Sequence, residues 1–164
     1  MSTVSGLPVG EDLQAVLDAM EAAELGSRAE HIGGAFTLNR PSPIHQATAF
    51  ELAVALRNYI PDSHRVIAEV RVSDGDAWIT PDILVVPEAV ALSEASPINP
   101  EAILLMCEVL SPSTEAKDRT EKRQFAERHA IDYWLVATGD PWGTIETMPY
   151  GGGQVQVPPS SRTL

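Results

Sequence analysis

Residues 103–114 read Ile-Leu-Leu-Met-Cys-Glu-Val-Leu-Ser-Pro-Ser-Thr, an apolar run broken by one acid, Glu108, and closed by a Ser111-Pro112 turn. The nearly continuous apolar stretch Ala102–Leu110 has strand length and predicts a strand covered on both faces, at the centre of a sheet. Upstream, Ile79-Thr80-Pro81-Asp82-Ile83-Leu84-Val85-Val86 carries a second acid, Asp82, in an equally apolar setting. An ionised carboxylate taken into an apolar interior without a partner costs roughly several kcal/mol, so each acid requires a cation or a donor nearby. A shared divalent metal would satisfy both. Strand alternation puts Thr80, Asp82 and Leu84 on one face, and Met106, Glu108 and Leu110 on one face of the other strand, so adjacent strands with matching faces bring the two acids together. The competing reading leaves each acid at a strand end, in solvent or paired with Arg71, Arg119 or Arg123.

Working outward, Asp132–Ala137 returns to strand after Glu115–His129, whose apolar spacing at Ala116, Phe125 and Ala126 predicts a helix. Arg65–Val72 alternates and reads as a strand ending at the Ser73-Asp74-Gly75 turn, with Ala77–Val86 as its hairpin partner. Ala35–Leu38 reads as a short strand, and Ser42-Pro43 opens a helix through Tyr59 with Leu52, Leu56 and Tyr59 on its core side. Glu11–Glu24 reads as an amphipathic helix stopped by Gly26, while Thr144–Met148 and Gln154–Val157 are weaker strands before a Pro-Pro-Ser-Ser tail. This order predicts an α/β (α+β-like) fold, a mixed central β-sheet flanked by helices. The division is an N-terminal helix and linker over 1–29, one domain over 30–157 and a flexible tail over 158–164.

The 164 residues fit one domain, and 44% hydrophobic with 21% charged residues is a globular balance rather than a disordered one. Eleven Lys plus Arg against 23 Asp plus Glu give a formal net charge of −12, which excludes a broad basic footprint for nucleic acid. No apolar run approaches the roughly 18–20 residues that span a bilayer, and no basic region precedes an apolar N-terminal stretch, so a soluble cytoplasmic protein is the expectation. The single cysteine, Cys107, excludes an intramolecular disulfide and a multi-Cys zinc site, so any bound metal is expected on oxygen ligands.

Pro81-Asp82, Glu108-Val109-Leu110-Ser111-Pro112-Ser113-Thr114, Asp118 and Lys122 in the next helix, and Tyr133-Trp134-Leu135-Val136 together resemble the Uma-type putative restriction endonuclease family, within the PD-(D/E)XK nuclease superfamily. Glu30-His31-Ile32-Gly33-Gly34 is similar to the family's acid-to-glycine segment before its first strand, and Ser42-Pro43-Ile44-His45-Gln46 to the start of its following helix. The resemblance runs from about Glu30 to Val136. It implies a restriction-endonuclease-like core and metal-dependent hydrolysis of DNA phosphodiester bonds, with Mg²⁺ or Mn²⁺ on Asp82 and Glu108 and the Val109 carbonyl as a third oxygen. Hard cations of this kind prefer oxygen donors and keep several waters. Dimerisation, common in the superfamily, is a further implication for assembling a DNA cleft.

Superfamily members often carry a lysine two residues after the second acid, where this chain has Leu110. The resemblance supplies Lys122 instead, and its i,i+4 spacing from Asp118 puts the two on one helix face. Read without the resemblance, that pair is a solvated surface pair. Glu30 is similar to the acid from the first part of the core and would support the metal or bind a second ion, or else is an ordinary surface glutamate. His45 would contact phosphate or hydrogen-bond at a polar cap. Glu69 is expected in solvent or on Arg71, Ser111 in a turn where it would orient site groups, and Cys107 as a small buried residue. Of Tyr133 and Trp134, a strand context makes one core and the other half exposed. Arg119, Lys122, Arg123 and Arg128 fall in one short helix and could line a groove. Phe125, Ala130 and Ala137-Thr138 depart from the family's usual tyrosine, glycine and acid. The missing lysine at Leu110 and the acidic balance keep an alternative open, a non-catalytic interaction or regulatory protein that retains the fold and engages a basic partner.

Overall fold

The structure, a computed structural model, describes residues 2–4, 15, 18–19, 29–139 and 145–157. Apart from Ala15, Asp18 and Ala19, the helix expected over Glu11–Glu24 lies outside the described residues, as does the tail at 158–164.

Ten strands form two five-stranded sheets among the described residues. In chain order they are β1 (Ser2–Val4), β2 (Ala29–Ile32), β3 (Ala35–Leu38), β4 (His64–Ala68), β5 (Val72–Ser73), β6 (Trp78–Ile79), β7 (Ile83–Pro87), β8 (Leu105–Val109), β9 (Asp132–Val136) and β10 (Ile145–Met148). The first sheet, in the order β1-β3-β2-β6-β5, is antiparallel throughout. The second, β10-β9-β8-β7-β4, is mixed: β8 and β9 run parallel and the other neighbours antiparallel. The expected α/β mixed sheet is this second one, with β8 at its centre as the apolar run predicts.

The additional sheet comes from a bend that a pattern of alternation does not display. Arg65–Val72 is not one strand: Glu69, at φ 58°, breaks it into β4 in one sheet and β5 in the other. The partner leg breaks at Thr80-Pro81-Asp82 into β6 and β7. Proline cannot donate to a ladder, so the break falls where the sequence already forbids continuous pairing. Asp82 therefore sits at the joint between the two sheets rather than inside a strand. Gly33 and Gly34, at φ 61° and 75°, supply the two left-handed residues of the β2–β3 turn, and Glu30 lies in β2 rather than ahead of the first strand. Gln154–Val157 is irregular rather than a strand, although Val155 is buried.

Helix α1 (Pro43–Leu56) starts where Ser42 Oγ accepts the His45 amide at 3.3 Å, with Pro43 at the first helical position. Its buried face is His45, Thr48, Ala49, Leu52 and Leu56; Tyr59, expected in the core, lies beyond the helix and is exposed. Leu52 and Leu56 pack on Ile83, Val85, Leu105, Cys107 and Val109, one face of the second sheet. A short helix α2 (Glu88–Ala91) follows β7. The other face, carrying Leu84, Met106, Tyr133 and Leu135, is covered by Phe125 and Ala126. That cover is a continuous helical segment: α3 (Glu115–Lys117), a π-helical stretch over Asp118–Lys122, and α4 (Arg123–Arg128). Tyr133 and Trp134 are both buried, one towards each helical layer, so neither is half exposed.

Candidate active site

The fold brings Glu30, Asp82, Glu108, Asp118 and Lys122 to one cavity of about 230 Å³. Each is at most 6% exposed. Glu108 arrives at the C-terminal end of β8, Asp82 at the joint before β7, Glu30 from β2, and Asp118 and Lys122 from the π-helical stretch. His45, Ser111 and Thr114 also line the cavity, whose exposed rim includes Arg40.

Lys122 is the hub. Its Nζ lies 2.8 Å from Glu108 Oε1, 2.8 Å from Glu30 Oε1 and 3.5 Å from Asp118 Oδ1. Burial disfavours its charge, but the surrounding acids, Glu108 first, outweigh that and hold the ammonium well above the ordinary lysine range. The i,i+4 relation of Asp118 and Lys122 is therefore an interior arrangement and not a solvated surface pair. A π-helix is uncommon and frequently marks a functional site. Here its Asp118 carbonyl accepts the Tyr133 hydroxyl at 2.8 Å, which fastens the stretch to β9.

Asp82 Oδ2 accepts the Val109 amide at 2.8 Å and lies 3.2 Å from His45 Nε2. Burial opposes ionisation of Asp82, yet the hydrogen bond with His45, then its charge and that of Lys122, bring the carboxyl below its usual range. The contact that Val109 makes to the site is thus through its amide, and its side chain belongs to the core. His45 meets a carboxylate, a partner that its position at a helix start does not suggest. Glu30 is gripped by Lys117, by Asn39 Nδ2 at 3.2 Å and by the Thr80 amide at 2.9 Å. Burial opposes its charge too, but Lys122 and Lys117 prevail and lower its pKa. It is no surface glutamate.

Glu108 and Asp118 behave in the opposite sense. For Glu108, burial comes first, and the charges of Asp82, Asp118 and Glu30 add to it, so the carboxyl titrates well above the usual range despite Lys122. Asp118 is raised mainly by burial, with Lys122 opposing, and its Oδ1 has no hydrogen-bond partner. Four carboxylates thus face two lysines, Lys117 and Lys122, plus His45. The surplus of negative charge and the all-oxygen donors Asp82 and Glu108 fit a hard divalent cation. Among the described residues no three His, Cys, Asp or Glu side chains are grouped as ready ligands, so an ion on the two carboxylates would complete its shell with backbone oxygen, water or substrate.

Other expected residues fall elsewhere. Glu69 Oε1 accepts Gln46 Nε2 at 3.0 Å. Ser111 Oγ lies 2.8 Å from Thr114 Oγ1, in a turn at the cavity wall. Cys107 is buried on the opposite face from Glu108, its thiol pushed well up by burial. The helix cations do not share a groove: Arg119 binds Glu115 and Glu146, Arg123 binds Tyr150, Arg128 binds Asp74, and Lys122 is interior. Lys117 was not indicated by the sequence, since it carries no motif. His45 was, but its contact with Asp82 was not, because the two are far apart in the chain.

No helix among the described residues is long and apolar enough to cross a membrane. A crystal structure of a "putative nuclease belonging to DUF820" from Anabaena variabilis superposes with a TM-score of 0.60 at 21% identity, over 81% of this chain and 83% of that one. It has the same fold. The family model described as "Putative restriction endonuclease" matches residues 15–160. The chain therefore belongs to the Uma2 family of restriction endonuclease-like proteins.

Proposed function

We propose that this chain is a metal-dependent endonuclease that hydrolyses DNA phosphodiester bonds at the cavity. The observation that carries the reading is the buried Lys122 ammonium, 2.8 Å from Glu108, in a cavity where carboxylates outnumber cations. Burying four acids and a lysine together is expensive, and hydrophobic replacement of such clusters is often neutral or stabilising, so fold stability is a poor reason for the cluster. A chemical task is a better one.

Asp82 and Glu108 would hold Mg²⁺ or Mn²⁺, with the Val109 carbonyl as the expected third oxygen. When bound, such an ion supplies Lewis acidity to the phosphodiester and makes a neighbouring water more acidic. The chain's own groups do the rest. Lys122 places a fixed ammonium in a water-poor cavity, where it stabilises the charge that builds on the phosphate. That role belongs to the lysine expected two residues after Glu108, where Leu110 stands. Asp118 and Glu30 aim the amine, and His45 with the Val109 amide fixes the Asp82 carboxylate. Arg40, exposed at the cavity's rim, is suited to a DNA phosphate.

The test is cleavage of plasmid, linear and single-stranded DNA at low salt with Mg²⁺ or Mn²⁺, comparing wild type with Glu108→Ala and Lys122→Ala. Low salt matters because an acidic protein makes few phosphate contacts, so its affinity for DNA is weak to begin with and added salt weakens it further. Activity in the wild type and its loss in both folded variants supports the reading. Absence of cleavage by the wild type, or activity retained in Glu108→Ala, contradicts it.

A further inference from the structure

We propose that Lys117 is a positioning residue that acts through Glu30: it holds that carboxylate as a bridge to Lys122 and closes it to metal, so the cavity takes one divalent ion. The inference rests on the metal-dependent reading above and deepens it. An ionised carboxylate has about four acceptor positions. In Glu30, Oε1 accepts the Thr80 amide at 2.9 Å and Lys122 Nζ at 2.8 Å, while Oε2 accepts Asn39 Nδ2 at 3.2 Å and Lys117 Nζ. All four are engaged. To ligate an ion, Glu30 would have to give up one of these donors and take the ion beside two ammonium groups that already neutralise it.

Lys117 is itself fixed, because Nζ also donates to Thr37 Oγ1 at 3.2 Å and its side chain is 10% exposed. Its reach to Glu30 follows from the winding of the segment. In an α-helix, residues five apart point about 140° from one another. The π-helical stretch, whose i→i+5 repeat stacks such residues, begins directly after Lys117 and ends at Lys122, so both amines meet one carboxylate. With Lys117 gone, the remaining strong cation on Glu30 is Lys122, which is then drawn towards Glu30 and away from Glu108. Glu108, by contrast, is held by Lys122 through Oε1 alone.

The test combines three readouts on the full chain. Thermal unfolding in EDTA is measured for Lys117→Met, Glu30→Gln and the double variant; a bridge requires that the double variant lose clearly less than the sum of the single losses. Mn²⁺ titration by calorimetry should give one ion per chain in the wild type and in Glu30→Gln, and no binding in Asp82→Asn. In DNA cleavage, Lys117→Met should lower kcat about 10- to 100-fold with KM little changed, the range seen when a supporting contact at a metal site is lost, and Lys117→Arg should recover most of it. Additive thermal shifts, or wild-type kcat in Lys117→Met, would overturn the positioning role. Two ions in the wild type falling to one in Glu30→Gln would overturn the closed carboxylate. Mn²⁺ binding in Asp82→Asn equal to the wild type would sink the metal reading and the one-ion site together, whereas the EDTA measurement judges the bridge without any metal.

Discussion

Asp132 and Glu108 are buried acids in adjacent parallel strands, 1% and 2% exposed, and their surroundings could hardly differ more. Asp132 opens β9, where its Oδ1 accepts the amides of Gly151 and Gly153 at 2.8 and 3.1 Å and its Oδ2 accepts that of Gln154 at 3.1 Å. Three neutral donors satisfy it, and it pins the segment that carries buried Val155. Gly151 has no room for a side chain there, since a Cβ would stand 2.6 Å from the Ala130 carbonyl. Glu108, at the other end of the strand pair, has one lysine and three further acids around it. The lesson is that burial of an acid does not by itself indicate function. An acid whose acceptors are filled by backbone amides is architecture, and an acid crowded by like charges needs another reason to be there.

That contrast can be broken by substitution. The largest effect is expected from Glu108→Gln, which should lower DNA cleavage about 100-fold or more, as losses at metal sites do, while Tm changes little, because relief from the charges of Asp82, Asp118 and Glu30 offsets the lost pairing with Lys122. Addition of EDTA should abolish wild-type cleavage, with Mn²⁺ restoring it; cleavage that survives chelation would place the chemistry elsewhere. Asp132→Ala should do the reverse of Glu108→Gln, costing about 1–3 kcal/mol in denaturant unfolding through three unpaired amides while the folded protein cleaves DNA at the wild-type rate. The smallest effect concerns Asp74, which binds Arg128 and His129 and accepts the Asp76 and Ala77 amides. Partial burial opposes its charge, but the Ala77 amide, His129 and Arg128 lower its pKa well below the usual range. A depressed folded pKa gives stability that is present above the unfolded value of about 3.9 and is lost as pH falls through the folded value. Asp74→Asn should therefore lower Tm at pH 7, and the gap from wild type should close only in strongly acidic solution. A gap that closed near neutral pH would contradict this.

Much of this was legible in the sequence for definite reasons. Apolar continuity marked β8 as the sheet's centre, Ser42-Pro43 marked the start of α1, and acids inside apolar runs marked Asp82 and Glu108. Lys122 was within reach through the resemblance, but its burial was not, because a charged helix face looks the same whether it meets solvent or a ring of acids. The antiparallel sheet β1-β3-β2-β6-β5 was hidden by the bend at Glu69 and Pro81, where alternation continues across a change of sheet. Tyr59 and Gln154–Val157 misled because local pattern does not report where a helix stops or whether a final segment finds an edge to pair with. Lys117 was invisible for a geometric reason: a 3.6-residue wheel places it away from Lys122, and only the π-helical turn brings the two together on Glu30.

The most direct measurement is calorimetric titration of Mn²⁺ into wild type, Glu108→Gln and Asp132→Asn at neutral pH and low salt. The expected result is saturable binding in wild type and in Asp132→Asn, and its loss in folded Glu108→Gln. Binding that survives in Glu108→Gln, or that is absent from the wild type, would contradict the claim that the crowded acids at the end of β8 are there to hold a divalent ion.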